Sequence, residues 1–147
     1  MQLSFMLNDE PAEVDVDAHV LLVDVIRGLD KTGTKEGCGV GVCGLCTVLV
    51  DDAPVSSCIY LAHCAAGKSV YTVEGLTARD PALLAAFVEH EGMQCGICTP
   101  GQVVSAYALR LDNPGASEAE IKEFMAGNLC RCTGYGSIAD SVRAYVG

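Results

Sequence analysis

The first part of the chain alternates between apolar and polar residues, which is the pattern of β-strands that bury one face. It predicts one strand over residues 2–7 and another over 12–17, joined by a turn at 8–11. Residues 20–29 follow a different pattern, because their apolar positions recur three and four residues apart. This spacing predicts a helix with one apolar face.

The strand pattern resumes after a glycine-rich stretch at residues 33–44. Strands are predicted over 47–50 and 55–59, on either side of a polar turn at 51–54, with a shorter strand over 69–74. A sheet crossed by one helix accounts for all of these elements. We therefore expect a small mixed domain in the first half of the chain.

The second half has the spacing and the start signals of helices. Four helices are predicted, from a capping residue before proline at 80–81 and at 99–100, a capping box at 117–120, and an apolar stripe over 138–145. Gly127 is expected to end the third helix. Four short helices in succession favour a four-helix bundle.

These elements predict an α+β protein, with a mixed domain over residues 1–76 and a helical domain over residues 77–147. A chain of 147 residues has room for two small domains. Small domains bury little of their surface, and metals commonly supply the missing stability. Nine cysteines in so short a chain point to such a role.

Charge and hydropathy narrow the expected partners and surroundings. A formal net charge of −10 repels a phosphate backbone, so nucleic acid is not an expected partner. The N-terminal residues do not resemble a signal peptide, and no stretch reaches the about 18 uninterrupted apolar residues of a membrane span. We expect a cytoplasmic chain whose thiols stay reduced, and an odd cysteine count also argues against a full disulfide framework.

A first cysteine set has the spacing Cys38-x4-Cys43-x2-Cys46, which opens a plant-type [2Fe–2S] site. A zinc knuckle and a flexible loop with free thiols are the alternatives, but this spacing suits a loop wrapped around a cluster better. Nearby glycines would let the backbone approach the cluster, adopt positive φ and aim amide groups at sulfur. These glycines are Gly37, Gly39, Gly41 and Gly44.

The fourth cysteine of this set can be supplied by a hairpin. If strands 47–50 and 55–59 pair so that Val50 faces Val55, then Thr47 faces Cys58. Cys46 precedes Thr47, so its sulfur would lie close to that of Cys58. The hairpin is therefore expected to complete the site.

A second cysteine set consists of two close pairs. Cys95-x2-Cys98 lies directly before a predicted helix start, where the helix dipole favours thiolates. Cys130-x-Cys132 lies just past a predicted helix end. The two loops could face each other and surround one centre. Pairs of the C-x2-C type often bind zinc, but a gap of one residue is unusual for zinc and favours iron–sulfur.

The remaining chemistry-bearing residues suggest no further site. Cys64 has small apolar neighbours and is expected to be an ordinary buried thiol. The histidines are scattered and are expected to be structural or surface residues: His19, His63 and His90. No catalytic triad, phosphate loop or dinucleotide fingerprint is visible, so the chain shows no substrate chemistry of its own.

Three segments carry a family resemblance, and together they are highly specific: residues 33–48 around the first cysteine set, 94–101 (QCGICTPG), and 127–135 (GNLCRCTGY). They resemble the small iron–sulfur subunit of the xanthine oxidase (molybdenum hydroxylase) family. The resemblance covers nearly the whole chain. Eleven residues separate Cys46 from Cys58, far fewer than in photosynthetic ferredoxins, but this spacing is normal for the family.

The resemblance implies a ferredoxin-like β-grasp domain followed by a four-helix bundle, each with one [2Fe–2S] cluster. The outer cluster would be bound by Cys38, Cys43, Cys46 and Cys58. The inner cluster would be bound by Cys95, Cys98, Cys130 and Cys132.

The resemblance also implies two partner subunits. A large one would hold a molybdopterin that Gln94 and Cys132 contact, and a medium one would hold FAD. Electrons would pass from molybdenum through the inner and outer clusters to FAD or another acceptor, during hydroxylation of a small organic substrate. Two other functions stay open at this point: a free-standing two-cluster electron carrier, and a structural zinc protein.

Overall fold

The fold consists of a five-stranded sheet followed by a set of helices. The computed structural model describes all residues, 1–147. The strands are β1 (Gln2–Leu7), β2 (Glu10–Asp15), β3 (Thr47–Val50), β4 (Ala53–Ser56) and β5 (Ser69–Tyr71). The helices are α1 (Leu22–Gly28), α2 (Val73–Arg79), α3 (Pro81–Glu89), α4 (Thr99–Asp112), α5 (Glu118–Met125) and α6 (Gly136–Val146), with one 3-10 turn at Ala62–Ala65.

The sheet has the strand order β2-β1-β5-β3-β4. Only the β1–β5 pairing is parallel, and the other pairs are antiparallel. Alternate residues of β1 are buried, and they pack with the apolar face of α1. The helix therefore lies across one face of the sheet, as the sequence predicts.

Both hairpins turn more tightly than the sequence suggests. Each has a two-residue turn in which both residues have positive φ, as in type I′ turns: Asn8 and Asp9, and Asp51 and Asp52. Pro11 and Pro54 lie within β2 and β4 rather than in the turns. Both are edge strands, where a missing amide donor is tolerated.

The tighter second turn corrects the predicted hairpin register. Val50 pairs with Ala53, and Thr47 pairs with Ser56 instead of Cys58, so the prediction was displaced by two residues. The cause was that Pro54 was assigned to the turn. Cys58 consequently lies beyond the end of β4.

The second half contains one helix more than predicted. The strand predicted over 69–74 ends at Tyr71, and α2 begins at Val73. The start of α2 is fixed by a residue far away in the sequence. Asn8 Oδ1 accepts from the Thr72 backbone N–H, and Asn8 Nδ2 donates to the Thr72 hydroxyl. No local cap marks this start, so the sequence pattern missed it. Two of the predicted starts are confirmed: Asp80 caps α3, and the capping box at 117–120 opens α5. Thr99 is not a cap, because it is the first residue of α4 and Cys98 is the N-cap.

The helices cover the other face of the sheet. Val48 and Val50 of β3 pack toward α1, whereas Leu49 joins the core of the helical half. Tyr71 of β5 joins it as well. Because β3 is buried on both faces, it contributes to the apolar core of each half. None of the helices combines the length and the apolar character that crossing a bilayer requires.

Candidate metal centres

The first cysteine set comes together as two pairs of thiols. Cys38, Cys43 and Cys46 lie on the loop between α1 and β3, and Cys58 follows β4. Cys43 lies beside Cys38, and Cys46 lies beside Cys58, close enough for each to influence the pKa of its neighbour. Cys46 and Cys58 are buried, whereas Cys38 and Cys43 are half-buried. The set thus has one buried side and one side nearer to solvent.

Ser57 places Cys58 beside Cys46, although the hairpin register differs from the predicted one. Its backbone N–H and its hydroxyl both donate to the Cys46 carbonyl, at 3.4 and 2.6 Å. The next amide, that of Cys58, donates to Cys46 Sγ at 3.4 Å. The expected proximity of Cys46 and Cys58 is therefore present, but a turn after the hairpin produces it.

Backbone amides surround the sulfur of Cys38, as expected from the glycines beside it. The donors to Cys38 Sγ are the amides of Val40, Val42 and Cys43, at 3.4, 3.3 and 3.4 Å. Gly39 and Gly41 have φ of +65° and +74°, which turns these amides inward. The hydrogen bonds from these amides lower the pKa of Cys38 to about 6, whereas burial raises the pKa of Cys58 to about 11.

Gly37 has a different role from the other glycines of this loop. Its φ is not positive. An added Cβ would lie 3.2 Å from Cys43 Sγ and 3.0 Å from the Leu45 side chain. A side chain here would therefore press against a sulfur atom of the set and displace it by a few tenths of an ångström.

The second cysteine set also comes together as two pairs. Cys98 is the N-cap residue of α4, and Cys130 and Cys132 lie between α5 and α6. Cys130 lies beside Cys98, and Cys95 lies beside Cys132, close enough for each to influence the pKa of its neighbour. Cys98 is buried and Cys130 half-buried, whereas Cys95 and Cys132 are exposed. The loops at the start of α4 and after α5 therefore face each other, as predicted.

The thiols of Cys98 and Cys130 differ in acidity. Burial raises the pKa of Cys98 to about 12. Burial also acts to raise the pKa of Cys130, but hydrogen bonds led by that from Thr133 outweigh it and bring the pKa to about 7. The Thr133 hydroxyl donates to Cys130 Sγ at 3.2 Å, and the Tyr135 hydroxyl accepts from the Cys130 amide at 3.1 Å.

Thr133 and Tyr135 were not among the predicted site residues. The sequence could have indicated them, because a hydroxyl-bearing threonine and tyrosine directly follow the last cysteine in Cys132-Thr133-Gly134-Tyr135. Tyr135 has φ of +71°, an uncommon value for a residue with a side chain.

Cys64 corrects one prediction. It was expected to be a buried thiol, but it is exposed. The 3-10 turn at Ala62–Ala65 buries its two alanines and turns the cysteine outward. Small neighbours alone did not indicate the direction of the side chain. Cys64 belongs to neither cysteine set.

The grouping of the thiols suits a two-iron cluster. In such a cluster each iron takes two cysteine sulfurs, and each set here supplies two pairs. The amide donors at Cys38 add partial positive charge beside the sulfurs, which an anionic cluster requires. The residues present therefore fit two [2Fe–2S] clusters.

Two family models match the chain and divide it between them. Residues 5–69 match a family described as "2Fe-2S iron-sulfur cluster binding domain". Residues 72–143 match a family described as "[2Fe-2S] binding domain". Each cysteine set lies within one of these matches, so the chain carries two [2Fe–2S]-binding domains.

Individual relatives match over nearly the full chain. The nicotine 6-hydroxylase small subunit of Paenarthrobacter nicotinovorans is 44% identical over 145 residues, covering 97% of this chain and 87% of that protein. A probable xanthine dehydrogenase subunit from Bacillus subtilis (strain 168) is 41% identical over 142 residues, covering 95% and 82%.

A solved structure agrees with these relatives. The crystal structure of quinoline 2-oxidoreductase from Pseudomonas putida 86 superposes with a TM-score of 0.94 and 43% identity, covering 99% of this chain and 93% of that one. Fold, thiol grouping and relatives thus lead to one assignment. The chain belongs to the small iron–sulfur subunits of the xanthine oxidase (molybdenum hydroxylase) family.

Proposed function

We propose that this chain carries electrons within a molybdenum-containing hydroxylase. Its outer [2Fe–2S] cluster is bound by Cys38, Cys43, Cys46 and Cys58. Its inner [2Fe–2S] cluster is bound by Cys95, Cys98, Cys130 and Cys132. When bound, each cluster accepts and donates electrons at a potential that its protein surroundings tune. The observation that carries the proposal is the grouping of eight thiols into two sets of two pairs.

The residues of the chain prepare both sites for an anionic group. At the first set, the amides on Cys38 Sγ stabilise thiolate charge. At the second set, Cys98 lies at the start of α4, where the helix dipole favours negative charge. The Thr133 hydroxyl adds a donor to Cys130. Hydrogen bonds of this kind also influence the reduction potential of a cluster.

We also propose a division of the fold that matches the two clusters. Residues 1–76 form a β-grasp, ferredoxin-like domain, supported by the mixed sheet with α1 across one face. Residues 77–147 form a domain whose α3, α4, α5 and α6 make a four-helix bundle, supported by their common apolar core. The proposed boundary falls within α2.

The exposed edge of the second set supports a molybdopterin-holding partner. Gln94 and Cys132 are both exposed, and the Cys132 thiol contacts Cys95, the residue after Gln94. We propose that these two side chains contact a molybdopterin held by a large subunit. Electrons then leave through the first set to FAD on a medium subunit, or to another acceptor. The assembly hydroxylates a small organic substrate in the cytoplasm, and substrate selection lies on another chain.

Metal analysis of the anaerobically purified protein tests the clusters. We expect a red-brown protein with about four irons, and matching acid-labile sulfide, per chain. A colourless protein with about two zinc ions would instead be the product of two zinc sites, and would contradict the proposal.

Isolation of the native complex tests the partners. Purified gently from its natural source, the chain is expected to elute from a sizing column with molybdenum and two larger polypeptides. The high negative charge would also suit a free-standing electron carrier. Elution alone, with both clusters present and free reduction of acceptors, would support that carrier and refute the subunit assignment.

A further inference from the structure

The two cysteine sets meet at one backbone hydrogen bond. The Leu129 amide donates to the Cys43 carbonyl at 2.9 Å. Cys43 belongs to the first set, and Leu129 directly precedes Cys130 of the second set. A path made of covalent bonds and this single hydrogen bond therefore runs from the sulfur of Cys43 to the sulfur of Cys130.

Asn128, next to Leu129, forms hydrogen bonds with both the first cysteine loop and helix α4. Its Nδ2 donates to the Gly44 carbonyl at 3.1 Å, next to Cys43 in the chain. Its Oδ1 accepts from the Ser105 hydroxyl at 2.8 Å, and its backbone carbonyl accepts from Gln102 Nε2 at 2.9 Å. Asn128 is only 6% exposed, although its residue type is usually found at the surface. A buried amide with several partners fixes geometry strongly, because losing one partner is costly.

The backbones around Asn128 approach too closely for side chains. Gly44 has φ of +75°, and an added Cβ would lie 2.4 Å from the Gly127 carbonyl oxygen. An added Cβ on Gly101 of α4 would lie 2.1 Å from the Gly44 carbonyl oxygen. Three segments thus meet in contact: the first cysteine loop, α4, and the segment before Cys130. The Asn128 amide bridges all three.

We propose that Asn128 is a positioning residue for electron transfer between the two clusters. Its side chain keeps the Leu129 amide against the Cys43 carbonyl, and so keeps the path between the two sets short. The transfer moves one electron, oxidising one cluster and reducing the other, without a proton or a further reactant. This inference rests on the proposed function, because it requires both sets to hold clusters.

Two substitutions in the intact holoprotein test the role of the amide. Asn128→Ala removes it, and Asn128→Asp keeps an acceptor for Ser105 but loses the donor to Gly44. In both we expect the Leu129 amide to exchange with deuterium about tenfold faster, the factor for losing roughly one net hydrogen bond. Equilibration of one electron between the clusters, followed by rapid-freeze EPR after partial reduction, is expected to slow. Iron content is expected to stay at the wild-type value.

Ser141→Ala is the matched control. Like the Asn128 variants, it removes a buried polar group from the helical half, but the lost hydrogen bond is local, from the Ser141 hydroxyl to the Ser137 carbonyl within α6. We expect unchanged Leu129 exchange and unchanged electron equilibration. Equal slowing in this control would show general loosening and overturn the proposal.

Other outcomes separate this inference from the proposed function. Asn128 variants with full iron, unaltered Leu129 exchange and unaltered equilibration would refute only the role of Asn128. Wild-type protein without iron would refute the proposed function. If the Asn128 variants fail to retain iron, Ser105→Ala frees Oδ1 while leaving the amide in place, and it is expected to speed Leu129 exchange moderately. Unchanged exchange in that milder variant would overturn the inference.

Discussion

Before a metal binds, the thiols of the two sites differ in their protonation states. Cys38, with its pKa lowered by amide donors to about 6, is mainly a thiolate at pH 7. Cys98, with its pKa raised by burial to about 12, keeps its proton at that pH. Metals bind the thiolate, so loading at Cys98 must displace a proton and becomes harder as the pH falls. Once bound, the metal replaces the proton as the partner of the buried sulfur.

Serine substitutions of single cysteines test the assignment of ligands to sets. Cys58→Ser is expected to lower the iron content from about four to about two per chain, because only the outer cluster loses a ligand. Cys132→Ser is expected to cause loss of the inner cluster instead, with the same fall in iron content. Iron analysis and EPR of the reduced protein distinguish the two losses.

Cys64→Ala serves as the control for this series. Cys64 is exposed and belongs to neither set, so both clusters are expected to remain. Loss of iron in this variant would show that the eight ligands were assigned incorrectly.

At the scale of elements, the contact between the cysteine loops depends on helix α4 lying very close to the first loop. The sequence suggested that glycines near the cysteines serve the approach to sulfur. Gly44 serves a different contact as well, because its carbonyl accepts from both Asn128 and Thr47. Gly101, inside α4, has no evident purpose in the sequence, and its contact with Gly44 explains it.

Gly101→Ala tests this close approach. Alanine is the better helix former, yet its Cβ would lie 2.1 Å from the backbone oxygen of Gly44. Overpacking of this kind typically costs about 1–3 kcal/mol, so the thermal midpoint of the holoprotein is expected to fall.

Gly127→Ala is the comparison. No atom lies within 4 Å of an added Cβ there, and its φ is not positive. A change within about 0.5 kcal/mol is expected. A Gly101→Ala protein as stable as Gly127→Ala would contradict the packing described for α4 and the first loop.

At the scale of the whole molecule, the two domains are joined through β3. Leu49 is fully buried and belongs to the core of the helical half, although its neighbours in the strand face α1. The sheet half of the chain therefore provides part of the interior of the helical half. We expect the two to lose their structure together.

Leu49→Ala tests this shared interior. Removing a buried leucine side chain typically costs about 2–5 kcal/mol. Far-UV circular dichroism and the visible absorption of the clusters are expected to show lower and coincident thermal midpoints. Val88→Ala, at a position 64% exposed, is the control and is expected to change neither. A Leu49→Ala protein that loses only the outer cluster, with its helices intact, would show that the domains unfold independently.

The features that the sequence determined are local ones. Strand alternation, the caps at Asp80 and Ser117, and the cysteine spacings each depend on a few neighbouring residues. The grouping of cysteines into two sets follows from such spacings and from where helices start and end. These signals also sufficed to recognise the family.

Features that depend on distant contacts were decided only by the tertiary structure. The hairpin register depends on how β3 pairs with β4, and the start of α2 depends on hydrogen bonds to Asn8. Whether Cys64 faces solvent depends on how the 3-10 turn packs. The contact of the two loops joins Asn128 to Gly44, which lies 84 positions away in the chain. No local pattern can encode such a contact, because its energy comes from partners that only the folded chain brings together.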